Sequence, residues 1–292
     1  MRPLVKAIGL QMKNLNIAVE LILIDDASKN YFKQLNQEEC KKYQYYELSQ
    51  NIGRSSIRNL FLKYAQYEHL LFLDGDSYIV EPSFLKNYIH FLQQNEAVNI
   101  VCGGRVYNAK KPPKEKLLRW NYGIKRESQT ATQRKQFPNH SFMTNNFVVR
   151  KELLQNILFD ERLKNYGHED TLFGYELWKK NIPILHVENP IENGDVEDNE
   201  VFLFKTEEGV RNLAFIYKDR DCDKQLAQMV SLLMAYEQLK KYHLIFMIQV
   251  LFVVFGKSIR AALKKGWISL WLFNFYKLGL LVSSSELSCQ KK

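Results

Sequence analysis

The chain lacks the cysteine patterns that mark zinc-binding or disulfide-rich domains. Its four cysteines, Cys40, Cys102, Cys222 and Cys289, lie far apart, and none belongs to a C-x-x-C pair. A structural zinc site is therefore not expected, because such sites take closely spaced Cys and His ligands. Reduced thiols in a cytosolic setting fit this cysteine usage.

The chain also lacks the features of secreted, repeat and nucleic-acid-binding proteins. It opens without an apolar secretory segment and contains no internal repeat or low-complexity tract. Its 41 Lys and Arg exceed its 32 Asp and Glu, which gives a net charge of +9, but the basic residues are scattered. Because there is no arginine-rich run and no RNA-binding signature, we expect no nucleic-acid partner.

No hydrophobic run has the length of a typical transmembrane helix. The apolar segment LIFMIQVLFVVF at 244–255 has 12 residues, fewer than the ~20 that span a bilayer. Lys and Arg then alternate with Trp, Phe and Tyr as far as residue 282. Two interpretations of residues 244–282 stay open: peripheral contact with a membrane, or packing against the rest of the chain or a partner.

The composition is that of a folded α/β protein. Hydrophobic residues make up 46% of the chain and charged residues 25%, which suffices for a buried core. Short runs rich in β-branched residues, among them 18–24, 69–73 and 146–150, predict strands, and amphipathic segments between them predict helices. This alternation indicates a mostly parallel sheet with helices on both faces.

The helical pattern becomes continuous near the end of the chain. From about residue 221 onward no strand pattern occurs. We therefore predict a catalytic or binding domain over 1–220 and a C-terminal helical extension over 221–292.

Acidic residues follow two of the predicted strands directly. Asp25 and Asp26 end the run VELILI, and Asp74 and Asp76 follow HLLFL. Because ligands bind beyond the carboxyl ends of parallel strands, these carboxylates are candidate ligand contacts. Asp74 and Asp76 supply the hard oxygen atoms that Mg²⁺ or Mn²⁺ prefers. The alternative is that these residues only form turns or helix caps.

A third acidic pair opens a predicted helix. Glu169 and Asp170 follow Gly167 and His168, and apolar residues then bury the helix so that its beginning is exposed. A carboxylate held there can accept a proton from an attacking hydroxyl, by position more than by basicity. The alternative is a capping role, since the helix dipole favours acids in the first turn.

A long basic excursion separates two predicted strands. The basic residues of the segment 107–140 include five candidates for substrate contact, which are Arg119, Lys125, Arg126, Arg134 and Lys135. This segment is either a solvated charged loop or a mobile flap over the substrate.

Five segments, taken in order, resemble the successive motifs of family 2 glycosyltransferases. They are VELILIDDAS, NIGRSSIRN, LLFLDGDS, FMTNNFVVRK and YGHEDTLFGYEL. The resemblance runs from about residue 4 to 215 and extends to the subgroup with an E-D pair before a helix, as in chondroitin-polymerase and β-1,4-galactosyltransferase catalytic domains. It implies a GT-A fold, Rossmann-like, and inverting transfer of a hexosyl or N-acetylhexosaminyl group.

The resemblance also implies the substrates and the cofactor. The donor would be a nucleotide-diphosphate sugar, with UDP as the nucleotide, and the acceptor a glycan or a lipid-linked hydroxyl. The cofactor would be Mn²⁺ or Mg²⁺. A cytoplasmic location, at the cytoplasmic face of the membrane, follows as an expectation, whereas the oligomeric state is not fixed by the sequence.

Roles near the donor carry over from the resemblance position by position. Asp25 and Asp26 match the strand-end acids near the nucleotide, and Arg58 matches the arginine under the base. Asp74 and Asp76 match the D-x-D motif, with Asp76 as the direct metal ligand.

Roles near the acceptor carry over in the same way. Asn145 and Asn146 match the polar pair that lines the acceptor side. Glu169 matches the acid that contacts acceptor or donor sugar, and Asp170 matches the catalytic base.

The sequence departs from this family pattern in two places. Relatives open with a strand that ends in a P-x-Y-N type turn, whereas this sequence starts at the first helix. An alternative function is therefore an N-terminally truncated, inactive glycosyltransferase-like protein that acts as a binding partner. Relatives also carry a second metal ligand, a His, near the position of Asn193, where Asn193 or Asp195 can still offer an oxygen atom. His186 is expected to be a core histidine.

Overall fold

The computed structural model describes residues 1–194 and 196–284, which contain nine strands and thirteen α-helices. The strands are β1 (Ile22–Asp25), β2 (Gln44–Glu47), β3 (His69–Leu73), β4 (Ser77–Ile79), β5 (Ile100–Cys102), β6 (Arg105–Val106), β7 (Asn146–Arg150), β8 (Leu185–His186) and β9 (Ile191–Asn193). The helices are α1 (Arg2–Met12), α2 (Asn30–Cys40), α3 (Arg54–Tyr64), α4 (Phe84–Gln94), α5 (Leu117–Tyr122), α6 (Ala131–Arg134), α7 (Lys151–Asn156), α8 (Glu169–Lys179), α9 (Asn199–Asp219), α10 (Lys224–Met229), α11 (Ser231–Lys241), α12 (Ile245–Lys264) and α13 (Leu270–Val282).

Local side-chain chemistry determines where several helices begin. Pro3 lies in the first turn of α1, where its missing N–H costs no hydrogen bond. Thr130 and Gln133 form a reciprocal capping box at the start of α6. The side chains of Asp223 and Ser269 accept backbone N–H bonds at the starts of α10 and α13.

The chain divides into two compact units. The first comprises residues 1–108, 128–164 and 176–195, and the second comprises 109–127, 165–175 and 196–292. The domain boundary predicted at residue 220 stays a prediction.

The strands of the first unit form three separate sheets. β1 and β2 pair in parallel. The largest sheet has the order β3-β7-β5-β8, in which β7 is antiparallel to both neighbours and β5 is parallel to β8. β3, β5 and β8 therefore share one direction. The third sheet has the order β4-β9-β6. Within the described residues no ladder joins β1 to β3.

Helices cover both faces of the four-stranded sheet. Leu71, Val101 and Val148 pack on the side of α1 and α4, in a cluster that includes Leu4 and Phe84. The alternate side chains of β3 and β7 point to the opposite face, as the pleat of a strand requires.

On that opposite face, Phe72 stacks on Phe147 at 4.9 Å, and Phe61 of α3 meets Phe72 edge-on at 5.5 Å. The prediction of helices on both faces is confirmed, but this sheet is mixed and not mostly parallel, because β7 runs antiparallel to both of its neighbours.

The second unit has a helical core of its own. Leu118, Phe202, Leu203, Leu263 and Phe273 are buried in one cluster that joins α5, α9, α12 and α13. The prediction that the chain is helical beyond residue 221 is confirmed as far as residue 284.

The cysteines follow the expectation only in part. Cys40 and Cys102 are buried free thiols, and burial raises the pKa of both. Cys222 is disulfide-bonded, so the expectation of a reduced thiol is wrong for this residue. Cys289 lies outside the described residues.

Candidate active site

Asp25 is buried at the end of β1, and its carboxylate is bonded within the fold. It accepts hydrogen bonds from Ser28 N at 2.6 Å, Tyr45 Oη at 3.1 Å and Asn36 Nδ2 at 3.4 Å. Burial and the Asp25 carboxylate raise the pKa of the Tyr45 phenol well above its usual value. In this structure Asp25 holds the strand end and α2 in place, and its predicted nucleotide contact stays a prediction.

Asp26 organises the turn that leads into α3. Its carboxylate accepts from Ile52 N at 2.7 Å and Gly53 N at 3.3 Å, and its backbone carbonyl accepts from Asn51 Nδ2 at 3.2 Å. Gly53 has a φ of +84°, which a side chain would strain. The carboxylate thereby fixes the loop directly before the helix that carries Arg58.

Arg58 links α3 to the D-x-D motif. This buried guanidinium donates to Asp74 Oδ1 at 3.4 Å and to the carbonyl of Arg54 at 3.3 Å. It also lies 5.6 Å from the centre of the Phe159 ring. The two predicted site residues Arg58 and Asp74 therefore meet.

Asp74 and Asp76 differ in how strongly the fold engages them. Asp74 N donates to the carbonyl of Asn145 at 3.3 Å, and Ser77 N donates to the carbonyl of Asp74 at 3.1 Å. These bonds shape the turn between β3 and β4. Asp76 is exposed, and its carboxylate makes no hydrogen bond or ion pair within residues 1–194 and 196–284. Its oxygen atoms are thus available to a ligand.

Asn193 lies next to the D-x-D motif. It pairs in register with Ser77 across the β4–β9 ladder. Gly194 approaches Asp76 so closely that a Cβ atom there would overlap the Asp76 carbonyl. Asn193 is therefore placed beside Asp76, and Asp195 lies outside the described residues.

His186 is a core histidine, as expected. Its Nδ1 accepts from Arg134 Nε at 3.2 Å, and its Nε2 lies 2.8 Å from the Pro138 carbonyl, to which it donates in that tautomer. Burial lowers the pKa of His186 to about 4, and the neighbouring Arg134 contributes in the same direction. This neutral imidazole has a hydrogen-bond partner at both ring nitrogens and packs in the core beside β8.

Asn145 and Asn146 make different contacts. With its amide oxygen turned towards Arg105, Asn145 accepts from Nε at 2.8 Å and from Nη2 at 3.2 Å. Asn146 is fully buried, accepts from Tyr88 Oη at 2.6 Å and donates to the carbonyls of Gly104 and Asn189.

Asn146 thus has no surface for an acceptor and instead joins β7 to the loops around it. Its expected lining role does not fit this position, because a buried amide must bond within the fold.

In the second unit, the turn before α8 is held by α9. Asn212 Nδ2 lies within 3.2 Å of three successive carbonyls, those of Asn165, Tyr166 and Gly167. Gly167 has a φ of +99°, and a Cβ atom on it would lie 3.0 Å from the Cα atom of Gly209. These close contacts fix the backbone direction at the start of α8, where Glu169 and Asp170 lie.

Glu169 and Asp170 occupy the first turn of α8, as predicted. Glu169 is buried and Asp170 is half-buried. Asp170 Oδ1 accepts from Thr171 N at 2.7 Å, and His168 Nδ1 lies 3.1 Å from Thr171 Oγ1. Burial lowers the pKa of His168 to about 4, so this imidazole is neutral at pH 7. The prediction of an acidic helix start is confirmed.

The basic excursion is largely ordered by its own cations. Arg119 is buried, donates to both oxygen atoms of Glu127 at 3.0 Å and lies 3.6 Å from Glu197. Arg134 is buried and donates to the carbonyls of Gly103 and Val187. A solvated charged loop is therefore wrong for these two residues, because a buried guanidinium needs bonded partners. Lys125, Arg126 and Lys135, which complete the five, remain exposed.

The model of the family described as Glycosyl transferase family 2 matches residues 5–158, which is more than half of the chain. The chain belongs to glycosyl transferase family 2. The family resemblance and the class of protein, a glycosyltransferase, are confirmed. The E-D subgroup stays a prediction.

Similar proteins include one that is named for teichoic acid biosynthesis. The minor teichoic acid biosynthesis protein GgaB of Bacillus subtilis (strain 168) is 28% identical over 149 residues, which cover 50% of this chain and 16% of GgaB. The matched part of this chain thus spans only about a sixth of that curated relative.

Two solved structures are similar to this chain. Mannosyltransferase PcManGT from Pyrobaculum calidifontis, in complex with GDP-Man and Mn²⁺, has a TM-score of 0.60 at 12% identity and covers 97% of this chain and 85% of its own. S. aureus TarS 1-349 in complex with UDP-GlcNAc has a TM-score of 0.48 at 19% identity, covering 72% and 62%. The similarity to PcManGT confirms the GT-A fold of this family 2 member.

The predicted site residues of this family 2 chain fall into two sets, one in each compact unit. Arg58, Asp74, Asp76 and Asn193 gather around the turn after β3 in the first unit. Glu169 and Asp170 belong to the second unit. Among the described residues, no group of three or more His, Cys, Asp and Glu side chains is placed to hold a metal.

Several residues that hold the predicted site residues in place were not predicted from the sequence. Asn212 and Gly209 hold the turn before α8, and Arg105 holds Asn145. A polar residue such as Asn212 between Val210 and Leu213 in a helix was a usable signal, because a buried amide has to bond to something specific.

Proposed function

We propose that this chain is an inverting, metal-dependent glycosyltransferase. It moves a hexosyl or N-acetylhexosaminyl group from a nucleotide-diphosphate donor, a UDP-sugar, to a hydroxyl of a glycan or lipid-linked acceptor. The observation that carries the proposal is the free carboxylate of Asp76 beside Asp74 and Asn193 at a strand end. Membership in family 2 and the teichoic acid role in the name of GgaB support the reaction class and a polymeric acceptor.

The residues after β3 fit a divalent cation. Asp76, Asp74 and Asn193 offer oxygen atoms, and Mg²⁺ commonly takes only one or two carboxylates in addition to substrate phosphates and water. When bound, such a cation neutralises the diphosphate as it leaves. Because the described residues offer no third acidic or histidine ligand at this turn, we expect the metal to bind well only together with the nucleotide.

The chain positions these groups through neighbouring side chains. Arg58 holds Asp74 by its 3.4 Å contact, and Asp26 holds the turn from which α3 begins. A pre-set geometry matters because transfer requires the reacting atoms to be aligned before the bonds change.

Asp170 is the proposed general base. In an inverting displacement, the acceptor oxygen bonds to the anomeric carbon while the bond from that carbon to the diphosphate oxygen breaks. The hydroxyl proton passes to the carboxylate. Asp170 lies in the first turn of α8 and works by its position. Asn212 and Gly209 fix that position through the preceding turn.

The decisive variant is Asp170→Asn, which keeps the shape and removes the base. We expect transfer to fall by about 100-fold or more, while UDP binding measured by calorimetry with Mn²⁺ is unchanged. Glu152→Gln is the matched control, because Glu152 is an exposed acid in the first turn of α7. Normal turnover by Asp170→Asn would show that the assigned base is wrong.

The alternative function, an inactive glycosyltransferase-like protein that acts as a binding partner, predicts a different result in the UDP-binding measurement. A folded chain that binds no UDP, with or without Mn²⁺, and transfers no sugar would favour it. Metal-dependent UDP binding would favour the enzyme.

A further inference from the structure

Helix α12 is apolar, long and uncovered. It has 20 residues and a mean hydropathy of 1.7 over an 18-residue window, of which only 6% is buried. A helix that is apolar around its whole circumference normally lies in a protein core or in lipid. By length and composition α12 is long enough to cross a membrane, and the part of the chain that the structure describes leaves most of it bare.

One face of α12 is already used by the fold. Ile248, Gly256 and Leu263 are buried, and Phe252 packs near Tyr276 of α13, with ring centres 5.6 Å apart. Gly279 of α13 lies so close to Phe252 that any Cβ atom there would overlap the ring. The bare residues are therefore a second face, turned away from α13.

That second face is a continuous apolar stripe. Phe246 is 75% exposed and Val253 is 79% exposed, and Met247, Val250, Val254 and Phe255 are exposed as well. The spacing of 246, 250, 253 and 254 places these side chains on one side of the helix, and Met247 and Phe255 widen this exposed face. We call these six residues the apolar stripe. An uncovered stripe of this kind marks a surface that meets another apolar phase.

Exposed tryptophans follow the stripe along the chain. Trp267 is 61% exposed in the connection after α12, and Trp271, at the start of α13, is 73% exposed and stacks on Phe275. Tryptophan is enriched where hydrocarbon meets headgroups, because its ring is apolar and its N–H is a hydrogen-bond donor.

The surrounding charge is of one sign. Residues 238–285 contain seven Lys and Arg and no Asp or Glu. Arg260 and Lys264 pair with Glu207 and Glu200 of α9, at 2.7 Å and 2.8 Å. Lys257 and Lys265 are exposed and form no ion pair within the described residues. After these ion pairs are counted, the unpaired charge on this surface is positive.

We propose that the apolar stripe, with Trp267, Trp271, Lys257 and Lys265, docks on the surface of an anionic lipid bilayer. Apolar side chains enter the boundary between headgroups and acyl chains, and the lysines remain at the phosphate level. A second copy is the weaker occupant, because an isologous contact would bring two basic surfaces together without any acid. The proposal does not depend on the transferase activity.

The helix lies on the bilayer and does not cross it. The stripe ends at Phe255, and the stretch from Ile245 to there is about 16 Å long, half of the ~30 Å hydrocarbon thickness. Further along α12, Arg260 and Lys264 are engaged in ion pairs with α9. Lipid insertion of that end would have to break those pairs.

The test is flotation of the full chain with vesicles. We compare phosphatidylcholine vesicles with vesicles that also contain phosphatidylglycerol, at low and high salt. The expected result is binding to the anionic vesicles that weakens at high salt, at least tenfold less binding for Phe246→Glu/Val253→Glu, and weaker anionic preference for Lys257→Gln/Lys265→Gln. Leu10→Glu is the matched control, since Leu10 is 63% exposed on α1.

Three results would overturn the proposal. The first is a folded wild-type chain, checked by circular dichroism, that floats with neither vesicle. The second is flotation of the Phe246→Glu/Val253→Glu variant equal to that of the wild type. The third is a dimer in sedimentation analysis that the same double variant converts to a monomer, without vesicle binding. That outcome would assign the stripe to a second copy.

Discussion

Two strand ends in the first unit carry acidic pairs that look alike in sequence and differ in structure. At the end of β1, Asp25 accepts three hydrogen bonds, and Asp26 accepts two from the turn before α3. After β3, Asp74 has one charged partner, Arg58, and the side chain of Asp76 has none in the described part of the chain. The first pair thus stabilises the fold, whereas the second leaves carboxylate oxygens open to a ligand.

The difference shows that an acidic strand end is a site only where its oxygen atoms stay unpaired. A carboxylate that accepts several hydrogen bonds is already stabilised and gains less from a metal. We therefore propose that the metal binds after β3 and that the acids after β1 support the fold around it.

The sharpest test of this comparison is Asp76→Asn. We expect transfer to fall by about 100-fold or more, equivalent to about 2.7 kcal/mol of transition-state stabilisation, because the proposed metal ligand is lost. The free energy of unfolding should stay within about 0.5 kcal/mol, because an exposed side chain without partners is removed. Steady-state rates and urea unfolding measure the two effects. Full activity in the variant, or in the wild type after chelation of metal ions, would contradict the proposed metal-binding role of Asp76.

The reverse pattern is expected for Asp25→Ala. Removal of the carboxylate leaves Tyr45 Oη and Ser28 N without their partner, which should lower the free energy of unfolding by about 2–3 kcal/mol. The pKa of Tyr45, raised by burial and by Asp25, should also fall towards its usual value. Urea unfolding and ultraviolet titration give the two readouts. A stability equal to that of Asp76→Asn would contradict the assignment.

A smaller effect is expected from another polar group that the fold has already engaged, His186. Its folded pKa of about 4 lies below the unfolded value of about 6.5, so the unfolded chain binds the proton first as pH falls. The stability contribution is complete above about pH 6.5 and should drop by roughly 2 kcal/mol by about pH 5. Urea unfolding near both pH values measures the slope. Replacement by Gln should flatten it, and an unchanged slope would count against a buried neutral imidazole.

Much of the fold was predictable from local pattern. β3 and β7 have the predicted bounds, because an apolar run rich in β-branched and aromatic residues ends at polar turn residues. The strand predicted at 18–24 begins only at Ile22 in the structure, where pairing with β2 starts. Strand ends depend on the partner strand as well as on the run itself.

The local positions of the predicted site residues could be read from the sequence, whereas their contacts could not. Asp74, Asp76, Glu169 and Asp170 stand where the motifs placed them. Asn146 does not line a surface, since Tyr88, Gly104 and Asn189 surround its amide. Nothing along the chain places those three partners beside it.

The sequence by itself determined the family, the alternation of strands and helices, and the acidic motifs, because each depends on residues that are close along the chain. Only the tertiary structure decided which carboxylates are bonded, that Asn212 holds the turn before α8, and that one face of α12 is bare. These properties depend on atoms that are distant in sequence. Burial and pairing are properties of the packed chain, and no local pattern contains them.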